Sequence, residues 1–204
     1  MPSKTNKNNW KKQLHTWHWV SSAVSLICMI LFSITGITLN HASSFESTPT
    51  EIKYEKKIPN SIIQRIKSQS EIKILPIQFG QWINKQIDID NDLFEIAPEW
   101  NDYEIYVQKP IPGGDKWISI DLETNDFVYM HTDRGWVSWL NDLHKGRNTH
   151  ISWIWFIDIF AIATLVFCIT GLILLQIHSK KRASTWYITS AGVVVPGIIA
   201  FLYL

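Results

Sequence analysis

Three stretches of the chain are apolar almost without interruption, and the segments between them alternate. No Asp, Glu, Lys or Arg occurs from Gln13 to Phe45, within which Leu14 to His41 is the apolar run. Its centre, Val20 to Leu39, would make a helix about 30 Å long at ~1.5 Å per residue, the thickness of a bilayer core. The second run, Ile151 to Ile177, is broken only by Ser152, Asp158, Thr164, Thr170 and Gln176. The third, Tyr187 to Leu204, contains Gly192, Pro196 and Gly197. It is just long enough to cross, and the pattern leaves open whether it spans fully or lies at the interface.

Between the first two runs the period changes. In IPNSIIQRIKSQ, the residues Ile62, Ile63 and Ile66 recur at helical spacing after a polar start at Asn60 and Ser61, which predicts a short amphipathic helix. LFEIAP at 93–98, YEIYVQ at 103–108 and KWISIDLETNDFVYMH at 116–131 alternate as strands, with LETND as a hairpin turn. The expected fold is an α-helical membrane protein with three transmembrane helices and a small α+β domain between helices 1 and 2. The divisions are a tail at 1–12, helix 1 at 13–41, the domain at 42–140, helix 2 with an outer extension at 141–178, a hinge at 179–186 and helix 3 at 187–204. The tail reads as disordered.

Charge then orients the spans. Lys4, Lys7, Lys11 and Lys12 precede the first run and Lys180, Lys181 and Arg182 follow the second, with no acid in either flank. Residues 42–150 carry 12 Lys and Arg against 17 Asp and Glu, a net −5. The positive-inside rule puts both basic flanks in the cytoplasm and the acidic domain outside. Eleven Trp and 46% apolar residues fit a membrane protein, and no nucleic-acid partner is expected. The 20 residues from Val20 to Leu39 exceed the usual apolar region of a signal peptide, so the first run reads as an anchor and not a leader. Cys28 and Cys168 fall inside apolar runs and read as packing residues. Asp115, Asp121, Asp126 and Asp133 are candidate cation ligands, with solvated surface carboxylates as the plainer alternative.

Histidine carries the chemistry. His15, His18 and His178 flank the spans at the cytoplasmic face, and His41 and His144, with His150 close by, at the outer face. His15 and His41 are 26 residues apart, or about 39 Å and about 80° on an ideal helix, while His18 is about 140° round from His41. Each face can draw one histidine from each helix if helix 2 begins near Asn141. Bis-histidine ligation of a b-type haem needs that arrangement, although single histidines also sit at headgroup level unliganded. SITG at 33–36 and CITG at 168–171 place Thr-Gly late in a span, where glycine permits close helix approach and threonine bonds back to its helix. Asp158, an acid inside a span, is expected to meet Arg147, His150 or a water chain, for proton supply or to fix the helix. No G-x-G-x-x-G follows a strand, so a donor must come from elsewhere.

LHTW before the first span, TGITLNH at its end, LHKGR ahead of the second, Asp158 within it and TGLILL near its close together resemble the PepSY-associated transmembrane helix family. The middle segment is similar to a degenerate PepSY domain, and the likeness covers nearly the whole chain. Where the family has a glycine after its first LHRW-like motif, this chain has Val20 and Ser21. The resemblance is to the small, VciB-type inner-membrane ferric reductases. It implies one or two haem b per protomer, with His41 and His144 as outer ligands and His15 and His178 as inner ones. His18 and His150 are substitutes. It also implies reduction of ferric iron or ferric complexes outside, with copper as a further possible acceptor. The donor is then a quinol or a cytoplasmic reductase. Two or three spans shield a haem poorly in a monomer, so a homodimer surrounded by membrane lipid is expected. A non-enzymatic PepSY binding or regulatory module, or a cytochrome subunit of a larger dehydrogenase, are the alternatives.

Overall fold

In a computed structural model, residues 4–45, 48–68, 75–87, 89 and 91–203 are described. The elements run α1 (Lys4–Asn40), β1 (Thr50–Lys57), α2 (Asn60–Lys67), α3 (Ile77–Asn84), β2 (Glu99–Trp100), β3 (Glu104–Ile111), β4 (Gly114–Asp121), β5 (Asp126–Asp133), α4 (Trp136–Lys145), α5 (Ile151–His178) and α6 (Thr185–Tyr203). The chain forms two compact units, one of residues 33–154 and one of 1–32 with 155–204.

The 33–154 unit is built on an antiparallel sheet of order β1-β5-β4-β3-β2. Alternation puts Ile105 and Val107, Ile118 and Ile120, and Phe127 and Tyr129 on one face, and the register aligns Ile105 with Ile120 and Val107 with Ile118. Onto that face pack Ile63 and Ile66 of α2, Phe79 and Ile83 of α3, and Leu93. The helix expected around Ile62 to Ile66 is α2. LETND closes the β4–β5 hairpin, with Asn125 at φ 61°.

Three features differ from the pattern reading. Residues 93–98 do not form a strand: Asn91–Glu95 is a 3-10 turn that sends Leu93 and Phe94 to the core together, which an alternating strand cannot do. Edge strand β1 was not legible in advance, because only Ile52 and Tyr54 interrupt its polar residues. Those charges suit an unpaired edge. The sheet is also not a simple insertion between two successive helices. Its first strand follows α1, the other four lie between α3 and α4, and all five precede α5.

The other unit contains most of the long apolar helices. Among the described residues three helices are long and apolar enough to cross a membrane, at Asn8–Asn40, Ile151–His178 and Thr185–Tyr203. Helix α1 begins at Lys4, so residues 4–12, read above as a disordered tail, are helical where described. Nothing there breaks a helix, since the segment has no Gly or Pro. Polar side chains within α1 return their hydrogens to their own helix: Ser21 Oγ donates to the Trp17 carbonyl and Ser25 Oγ to that of Ser21, both at 2.7 Å. Phe32 and Phe160 pack with ring centroids 5.0 Å apart.

Candidate functional site: two histidine seats

Helix α4 holds the first site. It is not an early start of the second span, as expected for the segment from Asn141. Gly146 takes the left-handed conformation at φ 65°, its N–H donates to the Leu143 carbonyl, and the Arg147 N–H donates to the Asp142 carbonyl at 2.9 Å. That double bond pattern ends a helix, and α5 starts afresh at Ile151. The α4 backbone is held close to the β3–β4 turn. Gly113 (φ 74°) lies so near Trp139 that a Cβ there would stand 2.8 Å from the Trp139 Cβ. The Asp142 carboxylate is buried. It accepts from the Gly113 N–H at 2.8 Å and from Arg147 Nε at 2.8 Å, so the turn, the helix and the loop beyond it share one anion.

So placed, α4 meets the last turns of α1. Thr38 Oγ1 donates to Asn141 Oδ1 at 3.1 Å, and Thr35 Oγ1 lies 2.7 Å from His144 Nδ1. The His144 ring rests over Gly36, where an added Cβ would stand 3.6 Å from Cε1. His41 lies five residues on, about 140° round the helix from Gly36 and thus away from the seated ring. It is exposed, and its Nδ1–H donates to the Ile37 carbonyl at 3.1 Å.

The second site repeats the pattern in the other unit. Thr170 Oγ1 lies 3.0 Å from His18 Nδ1, and a Cβ at Gly171 would stand 3.3 Å from His18 Cε1. The His18 ring stacks on Phe167 at 4.9 Å and 14°. His178, seven residues beyond Gly171, falls within about 20° of the same helix face. Its Nδ1–H donates to the Leu174 carbonyl at 2.8 Å, folding the ring back towards the seat. Gly171, Leu174, Leu175, His178, Arg182 and Thr185 line an open cavity of ≈ 420 Å³.

Of the other sequence candidates, His15 is exposed and has no hydrogen-bond partner among the described residues. His150 Nδ1 is 2.8 Å from Ser152 Oγ. Asp158 is exposed on α5 and makes no ion pair among the described residues; the partners expected for it are engaged, Arg147 with Asp142 and His150 with Ser152. The four aspartates are not gathered into a cation site. Asp115 pairs with Arg134, Asp126 lies 3.5 Å from Lys57, and Asp133 accepts from the Gly135 N–H. The Asp121 carboxylate accepts the N–H groups of Thr124 and Glu123, and these bonds hold its pKa below the usual carboxylate value. No group of three or more metal-ligating side chains occurs among the described residues.

Sequence reasoning gave the Thr-Gly steps a packing role and Asp142 none. A signal for the seats was present: Ile-Thr-Gly occurs at 34–36 and 169–171, each followed by a histidine at the end of its apolar run. A neutral imidazole that donates Nδ1–H, as His41 and His178 do to carbonyls, has its lone pair on Nε2, where a metal can bind. These histidines therefore suit axial ligation of haem iron, and Arg182 at the cavity rim suits a carboxylate such as a haem propionate. No curated protein and no solved structure matches the chain at a significant level. A family model does, over residues 9–204, and the chain belongs to the PepSY_TM-like family.

Proposed function

We infer that this protein is a b-type cytochrome of the bacterial inner membrane that reduces Fe(III) to Fe(II) at the periplasmic face, as in the small VciB-type ferric reductases. The observation that supports it best is the repeated arrangement of an Ile-Thr-Gly step, a histidine seated on it from another helix, and a helix-ending histidine with Nδ1 bonded to its own backbone. Haem b bound there would supply one-electron exchange between the two oxidation states of its iron. The chain's own part is to hold imidazoles by Nδ1, to exclude water with apolar walls such as Leu174 and Leu175, and to neutralise a propionate with Arg182.

The geometry favours His18 with His178 as the cytoplasmic pair, since both border the surroundings of Gly171, and leaves His15 without a role. His144 is the best-held histidine of the periplasmic set. The basic flanks support an orientation with the N-terminus cytoplasmic and the sheet domain outside. A quinol or a cytoplasmic reductase is the donor and ferric iron or a ferric complex the acceptor. Asp158, exposed within a span, is costly to leave against lipid and supports a homodimer in which a second copy covers it.

The test is ferric reduction by the purified protein in lipid vesicles. A lipid-soluble quinol is the donor, ferric citrate is outside, and a ferrous-specific chelator is the reporter. Fe(II) should form at a protein-dependent rate that falls at least tenfold in His144→Ala. A rate equal to that of protein-free vesicles removes the ferric-reductase reading.

A further inference from the structure

We propose that the Ile-Thr-Gly step at 169–171 is a tautomer-setting seat: Thr170 fixes the ring nitrogens of His18, and Gly171 supplies the space in which that ring lies. This role goes beyond helix packing and rests on the haem reading for its functional consequence.

The proton inventory at Thr170 decides the tautomer. A threonine hydroxyl has one hydrogen and two lone pairs. Thr170 Oγ1 lies 2.7 Å from the Val166 carbonyl and 3.0 Å from that of Phe167, and both oxygens can only accept. Its hydrogen is therefore spent on its own helix, and what it offers His18 at 3.0 Å is a lone pair. His18 Nδ1 must be the donor, and in the neutral imidazole the lone pair then sits on Nε2, the tautomer that ligates a metal through Nε2. Phe167 stacks on the ring and fixes its plane. The Thr170 side chain is buried, which keeps water from competing for Nδ1.

Gly171 does the steric half. A Cβ added there would stand 3.3 Å from His18 Cε1, so any larger residue presses on the ring, and the hydrogen bond to the adjacent Thr170 leaves the ring little freedom to yield. At the other step Thr35 Oγ1 lies 2.7 Å from His144 Nδ1 and a Cβ at Gly36 would stand 3.6 Å from Cε1, so the fit around that ring is looser. The positioning residues of the His18 seat are thus Thr170 and Gly171, adjacent in sequence so that one helix turn presents both.

The test uses two readouts. In haem-free full-length protein labelled with 15N-histidine, His18 should show the Nδ1–H tautomer; Thr170→Val should lose that population and Thr170→Ser should keep it. In haem-loaded protein, Thr170→Val should weaken haem affinity by about ten- to a hundredfold and shift the haem midpoint potential, with Thr170→Ser close to wild type. An Nε2–H tautomer in the wild type, or a Thr170→Val protein identical to wild type in tautomer, affinity and potential, overturns the seat. A wild type that binds no haem but shows the Nδ1–H tautomer and its loss in Thr170→Val overturns the cytochrome reading and upholds the seat.

Discussion

The two seats use the same tripeptide and differ in what holds the incoming histidine and where the second histidine goes. His18 comes from a long apolar helix and is sandwiched by Phe167, Thr170 and Gly171. His144 comes from a short helix that the sheet domain clamps through Asp142, Gly113 and Arg147. After Gly171 the helix-ending histidine is seven residues on and returns to the same face; after Gly36 it is five residues on and points about 140° away. A repeated motif therefore seats one histidine at each site, but its spacing brings a second histidine round to the same helix face only at the His18 seat. Under the cytochrome reading, the His18 site is built as a closed pair, and the His144 site depends on the domain clamped above it.

That contrast breaks most sharply at Asp142. Asp142→Ala leaves the buried Gly113 N–H without its acceptor and Arg147 without its anion, at a cost of about 3 kcal/mol. The urea midpoint should fall, and amide protection should drop in α4 while Thr170 and its neighbours keep theirs. Next in size, His178→Ala should convert the haem at the His18 seat to a species lacking one axial ligand, visible as a shifted Soret band, whereas His15→Ala leaves the spectrum as it was. The glycines compare the seats directly. Gly171→Ala should displace the His18 ring and lower haem occupancy about tenfold, while Gly36→Ala, with 3.6 Å available, should change occupancy less than twofold.

The smallest effect is confined to the β4–β5 turn, where Asp121 has its pKa lowered by backbone N–H groups. A carboxyl with a folded value below its unfolded one lends stability above the unfolded value and loses it as pH falls through the folded one. Acidification should therefore lower the amide protection factors at Glu123 and Thr124, after correction for the intrinsic pH dependence of exchange. Asp121→Ala should show the lower protection factors already at neutral pH, with no further change on acidification.

Much of this architecture was legible because it follows from period and length. The long apolar helices, α2 and the β4–β5 hairpin each show their own repeat, and the placing of histidines at the span ends is visible in the sequence. What was not legible depended on tertiary contacts. Residues 51–57 form a strand only because β5 offers them a partner, with Thr50 opposite Asp133 and Lys57 opposite Asp126. Leu93 is buried and its neighbour Phe94, partly buried, packs against the same core, which no alternating pattern announces. Gly146 in LHKGR could have been read as a helix stop, since a glycine shortly before Ile151 separates α4 from the span. The choice of His18 over His15 rests on Thr170, 152 positions away, and spacing along one helix cannot see across to another.

The most direct test of the cytochrome reading is the absorption spectrum of the purified full-length protein, oxidised and then reduced with dithionite, with haem quantified per protomer. A b-type spectrum with sharp α and Soret bands is expected, diminished by His18→Ala and by His144→Ala separately. A wild-type protein that folds with its helices and sheet intact, is supplied with haem and shows no such bands would contradict it.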